Sequence, residues 1–173
     1  MANAEPDVDS ELPQAIREQL RTIAKNIPLQ VSERDSGSNV LFVGQEGPGR
    51  AAAMATFADE LGLKIYRVHL DRVERSSIGE TEKNLNKVFS AGERSNVILF
   101  FDEADALFGK RGGVKDAHDR YANLEAAFLR TLTKGYKGVV MLATRYPDDI
   151  SDALAACVDH RIAILDPATG TDR

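Results

Sequence analysis

The sequence predicts a three-layer α/β fold, in which a parallel sheet lies between two layers of helices. Three observations support this prediction. From residue 39 onward, strand-like and helix-like stretches alternate, which is the order that builds parallel sheets. The apolar runs at 97–101 and 139–143 lack polar alternation, as expected for central strands buried on both faces. A glycine-rich stretch at 44–49 stands between the first strand and the helix that follows it.

The first 38 residues are predicted to form an acidic leader, an amphipathic helix and a polar connection. Apolar residues recur there at three- and four-residue intervals, which is the spacing of one face of an α-helix. They are Leu12, Ile16, Leu20, Ile23 and Ile27. Such a helix usually packs on its own domain, and docking to a partner is the alternative interpretation.

The sheet and its helices are predicted to follow as an α/β core over residues 39–167, with a short tail at 168–173. Strands are expected at 39–43, 63–70, 96–102, 138–144 and 161–165, and helices at 50–61, 80–91, 117–132 and 149–157. Gly62 and Gly92 are well placed to end the first two of these helices.

The composition indicates one ordinary globular domain. The 173 residues are 43% hydrophobic and 28% charged, which is enough chain for a proper core. The net charge of −5 argues against a nucleic-acid surface, which usually carries a basic excess. A single cysteine, Cys157, excludes an internal disulfide. No apolar run is long enough to span a bilayer and the start is no secretory signal, so a cytoplasmic location is expected.

The stretch from residue 44 to residue 51 follows the pattern of a phosphate-binding loop, G-x-x-x-x-G-K-[ST]. Its candidate nucleotide-binding residues are Gly44, Gln45, Glu46, Gly47, Pro48, Gly49, Arg50 and Ala51. The glycines let backbone N–H groups turn toward a phosphate, and the helix start adds a partial positive charge. Arg50 replaces the lysine with a bulkier, planar cation, and Ala51 replaces the hydroxyl that would bind Mg²⁺. The sequence therefore keeps the phosphate cradle and argues against tightly held Mg²⁺.

A second motif ends the third predicted strand, where the apolar run meets Asp102 and Glu103. In phosphate-loop ATPases such an aspartate supports Mg²⁺ and the glutamate polarises the attacking water. Asp102 is therefore the candidate metal ligand, and both acids are candidate catalytic residues. In the alternative interpretation they serve only as caps and ion-pair partners at the strand end, because the residues around them are altered.

Three further stretches, at 77–85, 102–111 and 115–123, complete a resemblance to the AAA+ ATPase family, and closely to its bacterial stand-alone branch. The resemblance covers residues 12–167, nearly the whole chain. It implies a five-stranded parallel sheet with the site at the carboxyl ends of the strands. It also implies ATP or ADP as ligand and a ring in which a neighbouring subunit's arginine completes each site.

The chain departs from this family at several functional positions. Arg145 stands where a polar sensor, usually asparagine, ends the fourth strand, and it is kept as a candidate catalytic residue. Cys157 occupies the position of the arginine finger, although a shift of register would place Arg161 there. Ser77 replaces the aromatic residue that grips polypeptides in the ring pore, and no residues remain for the family's helical lid.

The departures predict a degenerate AAA+ module, a pseudo-ATPase that acts by contact with a protein, which could be another AAA+ subunit. Losing a transition-state arginine alone costs about 10³–10⁵ in rate. A monomer or weak oligomer is expected, since finger and lid are both missing. The alternative is an active, slow ATPase completed by partner subunits and coupled to protein remodelling. A third interpretation is that the lid belongs to a longer chain.

The sequence leaves two interpretations of Arg50. It could form an internal salt bridge with Asp102, because an unpaired buried charge is costly. It could instead act with Arg145 in place of the Mg²⁺ charge and allow nucleotide to bind without metal. Whether ATP or ADP is still bound is left open by the sequence.

Overall fold

The computed structural model describes residues 12–69, 78–104, 127–128, 130–146 and 152–164. The helices are α1 (Gln14–Lys25), α2 (Pro48–Leu61), α3 (Ile78–Ser95), α4 (helical at 127–128 and 130–135) and α5 (Asp152–Ala155), with a 3-10 turn at Val31–Glu33. The strands are β1 (Ser38–Val43), β2 (Ile65–Arg67), β3 (Ile98–Phe101), β4 (Val139–Thr144) and β5 (His160–Ala163). Within these described ranges, no helix is both long and apolar enough to cross a membrane.

The five strands form one parallel sheet in the order β2-β3-β4-β1-β5. The pairing of β1 with β4 runs in register from Ser38↔Val139 to Val43↔Thr144. β1, β3 and β4 are buried along their whole length, whereas all three residues of the edge strand β2 are exposed. The predicted parallel sheet of an α/β core is therefore confirmed, with its most apolar strands at the centre.

Alternate side chains of β1 divide the core into two layers. Val40 and Phe42 belong to the layer formed with α1 and α2, and Phe42 meets Phe57 of α2 edge to face at 6.3 Å between ring centroids. Leu41 and Val43 belong to the layer formed with α3. This alternation is the period-two pattern of a strand whose two faces are both covered.

The amphipathic helix α1 packs against α2, so the interpretation that it covers its own domain is confirmed. Leu20 and Ile23 are buried on the side that faces the core. Arg21 adds an ion pair to Glu60 near the end of α2, with 2.6 Å between Nε and Oε1. The packing of α1 on α2, together with this ion pair, holds the start of the described chain against the helix that follows the glycine loop.

Of the two glycines predicted to end helices, one ends its helix in the structure and the other does not. Gly62 ends α2 as predicted, with φ 63° and its N–H bonded to carbonyls of the last turn. Gly92 does not end α3, which continues to Ser95; that prediction is wrong. A Cβ at Gly92 would lie 2.6 Å from the hydroxyl oxygen of Tyr136, so this glycine serves close packing. The left-handed residue after α3 is Asn96, with φ 48°.

Several other predicted elements are shorter or lie outside the described residues. β2 covers Ile65–Arg67 instead of starting at residue 63, and α5 covers Asp152–Ala155 within the predicted helix at 149–157. Of the predicted helix at 117–132, most residues fall outside the described ranges, as do the leader at 1–11 and the tail at 168–173.

A buried arginine ties the connection before β1 to the rest of the sheet. Arg34 is 4% exposed and donates hydrogen bonds to the carbonyls of Pro28, Leu29 and Lys137 and to Oδ1 of Asn96. Burial lowers the pKa of its guanidinium. Its hydrogen bonds to carbonyl oxygens offset the cost of burying the charge.

Candidate functional site

The candidate site lies at the carboxyl edge of the sheet, where four strands end within reach of one another. Gly44 follows β1, Arg67 is the last residue of β2, Asp102 follows β3, and Arg145 follows β4. Because all strands are parallel, their carboxyl ends meet at the same edge, which is where such sheets bind ligands.

The glycine loop connects β1 to α2 as predicted. The N–H of Gly44 bonds to the carbonyl of Thr144 at 3.0 Å, so the loop starts as an extension of the sheet. A Cβ at Gly44 would lie 2.6 Å from the carbonyl oxygen of Ile164, which explains the need for glycine there. Gly47 caps α2 and Pro48 occupies its first turn, a position where proline loses no hydrogen bond.

Asp102 accepts hydrogen bonds from two arginines and one backbone group. Arg50 Nη2 lies 3.2 Å from Oδ1 and 3.5 Å from Oδ2. Arg67 Nη2 donates to Oδ2 at 2.8 Å, and the N–H of Glu103 donates to Oδ1 at 2.9 Å. The internal salt bridge between Arg50 and Asp102, one of the two interpretations of Arg50, is therefore present. We call Arg50, Asp102 and Arg67 the arginine clamp.

Burial differs strongly across the arginine clamp. The side chain of Arg50 is 6% exposed and that of Asp102 14%, whereas that of Arg67 is 52% exposed. Arg67 lies on the short edge strand β2, and its guanidinium carbon is 5.7 Å from the centre of the Phe100 ring, within cation–π range. The clamp therefore joins a buried cation on α2 to a half-exposed cation at the sheet edge.

Glu103 and Arg145 form a looser pair beside the clamp. Glu103 has φ 52°, in the left-handed region that residues other than glycine rarely adopt. Its side chain is 69% exposed, and its Oε1 lies 3.9 Å from Nη2 of Arg145, which is 42% exposed. A pair this long and this exposed to solvent contributes little stability.

A cavity of about 240 Å³, which we call the loop cavity, opens beside the clamp. Its polar lining comes from Glu46, Gly47, Arg50, Arg67 and Asp102, and its apolar lining includes Ala51, Met54, Ile65 and Phe100. Pockets that enclose a whole small ligand are usually roughly 300–1,000 Å³. The loop cavity is thus smaller than a pocket that encloses a whole small ligand.

Residues 40–165 match the sequence profile of a family described as "ATPase family associated with various cellular activities (AAA)". The chain belongs to the AAA family. The match covers the glycine loop, β3 with Asp102 and Glu103, and β5. The resemblance seen in the sequence motifs is confirmed at the level of the family.

Three of the similar curated AAA proteins match this AAA domain over about two thirds to three quarters of its length. An uncharacterized AAA family ATPase of Sinorhizobium fredii is 35% identical over 119 residues, which are 68% of this chain and 36% of that protein. ATPase family gene 2 protein homolog B of Rattus norvegicus is 33% identical over 66% of this chain and 16% of its own. Peroxisomal ATPase PEX6 of Saccharomyces cerevisiae is 31% identical over 75% of this chain and 13% of its own. The AAA domain thus spans about a third or less of these relatives.

The loop of this AAA domain fits a phosphate group. A Cβ at Gly47 would meet no atom within 4 Å, so there is open space in front of the start of α2. The first-turn N–H groups of a helix have no partner within the helix and carry partial positive charge. The guanidinium of Arg50 lines the same cavity and can bind phosphate oxygens in a bidentate way.

The same residues do not fit Mg²⁺. Ala51 offers no side-chain oxygen, and both oxygens of Asp102 accept hydrogen bonds from nitrogen donors. Mg²⁺ requires oxygen ligands at about 2.0–2.1 Å in octahedral geometry. Two guanidinium groups beside Asp102 would also repel a divalent cation.

The structure separates the predicted site residues into groups. It brings together Gly47, Arg50, Ala51 and Asp102 around the loop cavity, with Glu46 at its exposed rim. Glu103 and Arg145 lie beside the clamp, whereas Gln45 is exposed in the loop and Pro48 is exposed in the first turn of α2. The predicted finger positions differ: Cys157 is buried in the domain, and Arg161 is exposed on β5. Ser77 and the stretches at 105–111 and 115–123 lie outside the described residues.

Sequence reasoning missed Arg67. It lies in no recognised motif, and a single arginine in a short predicted strand is usually interpreted as a solvated surface residue. The signal that could have identified it is its position as the last residue of β2, which pairs in parallel with β3. The carboxyl ends of these two neighbouring strands lie side by side, so Arg67 comes close to Asp102. The strand order, which the motifs alone do not give, was needed to use this signal.

Proposed function

We propose that this AAA domain binds ATP or ADP at its glycine loop, hydrolyses ATP slowly or not at all, and acts through contact with another protein. The observation that carries the proposal is the arginine clamp, in which the aspartate expected to support Mg²⁺ is bonded to Arg50 and Arg67. Phosphoryl transfer in this class of site relies on Mg²⁺ to neutralise developing charge.

Two other positions support the same proposal. Arg145 adds a cation near Glu103, which would need to polarise a water molecule to promote hydrolysis. Cys157, at the position aligned with the arginine finger, is 5% exposed and packs within its own domain. A side chain buried in this way cannot reach the site of a neighbouring subunit.

A slow ATPase completed by partner subunits is the second candidate function. Glu103 favours it, because its carboxylate is 69% exposed at the edge of the sheet where a neighbour would contribute groups. The names of the relatives describe ATPases, and this AAA domain covers only part of each of those chains. A partner or a further segment could then supply a metal ligand and an arginine.

Phosphate release by the purified protein, with ATP and Mg²⁺, distinguishes the two candidates. For a pseudo-ATPase we expect background rates that Glu103→Gln leaves unchanged. The matched control is Glu33→Gln, an exposed acid before β1 and therefore at the opposite edge of the sheet. Turnover that Glu103→Gln abolishes and Glu33→Gln does not would contradict the proposal, and stimulation by a catalytically complete AAA relative would favour the second candidate.

The proposed mode of action includes a protein partner, a cytoplasmic location and a monomer or weak oligomer in solution. The sequence-wide net charge of −5 supports a protein partner over nucleic acid. Light scattering with and without ATP measures the oligomeric state. A stable ring that forms on adding ATP would contradict this part of the proposal.

A further inference from the structure

We infer that Arg50 is the exchangeable partner of Asp102. In the absence of Mg²⁺, a phosphate group that enters the loop cavity binds Arg50 in place of Asp102, and Arg67 remains as the counter-ion of Asp102. This inference rests on the proposed nucleotide binding and assigns roles within it. Arg50 is the phosphate-binding cation, and Arg67 is a positioning residue that acts through Asp102.

The distances within the arginine clamp identify Arg50 as the weaker partner. Charge-assisted N–H···O bonds are usually about 2.7–2.9 Å long. Arg67 and the Glu103 N–H meet this range at 2.8 and 2.9 Å, one on each oxygen of Asp102. Arg50 shares one nitrogen between both oxygens at 3.2 and 3.5 Å. Removal of Arg50 therefore leaves each oxygen of Asp102 with one short hydrogen bond.

Burial makes the exchange specific to an anion. The side chain of Arg50 is 6% exposed, so its guanidinium has little contact with bulk water, and breaking its pair with Asp102 inside the site would leave a buried charge without a counter-ion, which is strongly unfavourable. The guanidinium can leave Asp102 only for another negative group that enters the loop cavity. Such a group would be bound by Arg50 and by N–H groups at the start of α2, since Gly47, Arg50 and Ala51 all line the cavity.

Arg67 makes the exchange possible by keeping Asp102 neutralised. Without Arg67, a phosphate that recruits Arg50 would leave a carboxylate with 14% side-chain exposure and no cation from the clamp. Glu46 also lines the cavity, but it is exposed and its charge is screened by water. The charges that decide the exchange are therefore those of Arg50, Asp102 and Arg67.

The sequence suggested that Arg145 acts with Arg50 in place of the Mg²⁺ charge, whereas the structure favours Arg67 for that role. Arg145 lies beside Glu103, at 3.9 Å, and does not line the loop cavity. The second cation that compensates for Mg²⁺ is then Arg67, on the edge strand β2. Asp102 serves as the internal anion that holds Arg50 until a phosphate replaces it.

Calorimetric titration of the full chain with ATP, in EDTA and in Mg²⁺, tests the inference. We expect the protein to bind ATP in EDTA, and Asp102→Asn to tighten that binding by about tenfold, because the competing carboxylate is removed. Asp59→Asn, an exposed aspartate in the second half of α2, controls for the change in net charge. In a site that uses Asp102 to support Mg²⁺, the Asn variant would weaken binding instead.

A double-mutant cycle tests the role of Arg67. Arg67→Ala is expected to weaken ATP binding in EDTA by roughly three- to tenfold, and Arg67→Lys, which keeps the charge, should restore most of it. In the Asp102→Asn background, Arg67→Ala should have almost no effect. Lys64→Ala, an exposed cation just before β2, is the control for charge. Equal losses in both backgrounds would mean that Arg67 binds phosphate directly, and would overturn its role as counter-ion.

The outcomes separate this inference from the proposed function. ATP binding that requires Mg²⁺ would leave the proposed nucleotide binding intact and overturn the exchange of Arg50. Absence of binding in both buffers, for the protein and for Asp102→Asn alike, would overturn the two together. Binding in EDTA that Asp102→Asn tightens would support both.

Discussion

At the scale of single residues, Tyr136 shows how the core depends on glycines placed around one large side chain. Tyr136 is 3% exposed, its hydroxyl donates to the carbonyl of Val97 at 3.3 Å, and its ring meets Phe89 of α3 edge to face at 5.1 Å. A Cβ at Gly92 or Gly138 would lie within 2.6 Å of the Tyr136 side chain. Glycine is therefore required at these two positions because the buried Tyr136 ring leaves no room for a Cβ, and not because a turn demands it.

The backbone of Tyr136 constrains Gly37 in the same way, and this gives a stability prediction. A Cβ at Gly37 would lie 2.0 Å from the carbonyl oxygen of Tyr136 and 2.6 Å from that of Gly138. We expect Gly37→Ala to lower the free energy of unfolding by at least about 1–3 kcal/mol, because backbone must move to admit the methyl group. Gly135→Ala, where a Cβ meets no atom within 4 Å, should be neutral or slightly stabilising. Urea denaturation measures both, and similar values for the two variants would contradict the prediction.

The ionisation of Tyr136 predicts a loss of stability at high pH. Burial, followed by the charge of Glu93, raises the pKa of Tyr136 to about 12 from its usual value of 10, with Arg34 acting in the opposite direction. The unfolded chain therefore gives up this proton first, and the stabilisation present below pH 10 is lost as the pH rises toward 12.

Tyr136→Phe isolates this effect from other groups that titrate at high pH. We expect the free energy of unfolding to fall more between pH 9 and pH 11 for the natural protein than for the variant, by on the order of 1 kcal/mol. Urea titrations at the two pH values measure the difference. An identical pH dependence for both proteins would show that Tyr136 ionises normally in the folded state.

At the scale of elements, α1 is an integral part of the domain because one face of it completes the core layer over α2. Leu20, on the buried face of α1, is fully buried at 0% exposure in the core layer that α1 and α2 form against the sheet. We expect Leu20→Ala to lower the free energy of unfolding by about 2–5 kcal/mol, the usual cost of a cavity in a core. Lys25→Ala, exposed at the end of the same helix, should change it by less than about 0.5 kcal/mol. If Leu20→Ala were as mild as its control, α1 would be only loosely attached.

The elements differ in how well the sequence predicted them, and burial explains the difference. β1, β3 and β4 were recognised because strands buried on both faces carry continuous apolar residues. β2 was predicted too long, at 63–70 instead of Ile65–Arg67, because an exposed edge strand has no such pattern to mark its ends. The end of α3 was misplaced because Gly92 has a packing role that no local pattern records. The loop and Asp102 were found from motifs, whereas Arg67 reaches Asp102 only through the order of the strands.

At the scale of the whole molecule, the strand order determines which charges meet at the site. β3 lies between β2 and β4, so Asp102 has Arg67 on one neighbouring strand and Arg145 after the other. α2 follows β1, which lies two strands from β3, through the glycine loop, and its first turn carries Arg50 to the same carboxylate. Residues that are 35 and 52 positions from Asp102 in the chain are thereby held on its two oxygens.

The arginine clamp also has a consequence for the concentration range in which this domain can respond to a ligand. Asp102 is attached to the same fold as Arg50, so it acts as a tethered competitor whose effective concentration does not depend on the solution. A phosphate compound in solution occupies the loop only when it binds Arg50 more favourably than Asp102 does at this effective concentration. In the proposed exchange, the internal pair that neutralises Arg50 therefore also sets the ligand concentration needed to fill the site, and each change that weakens this pair lowers that concentration.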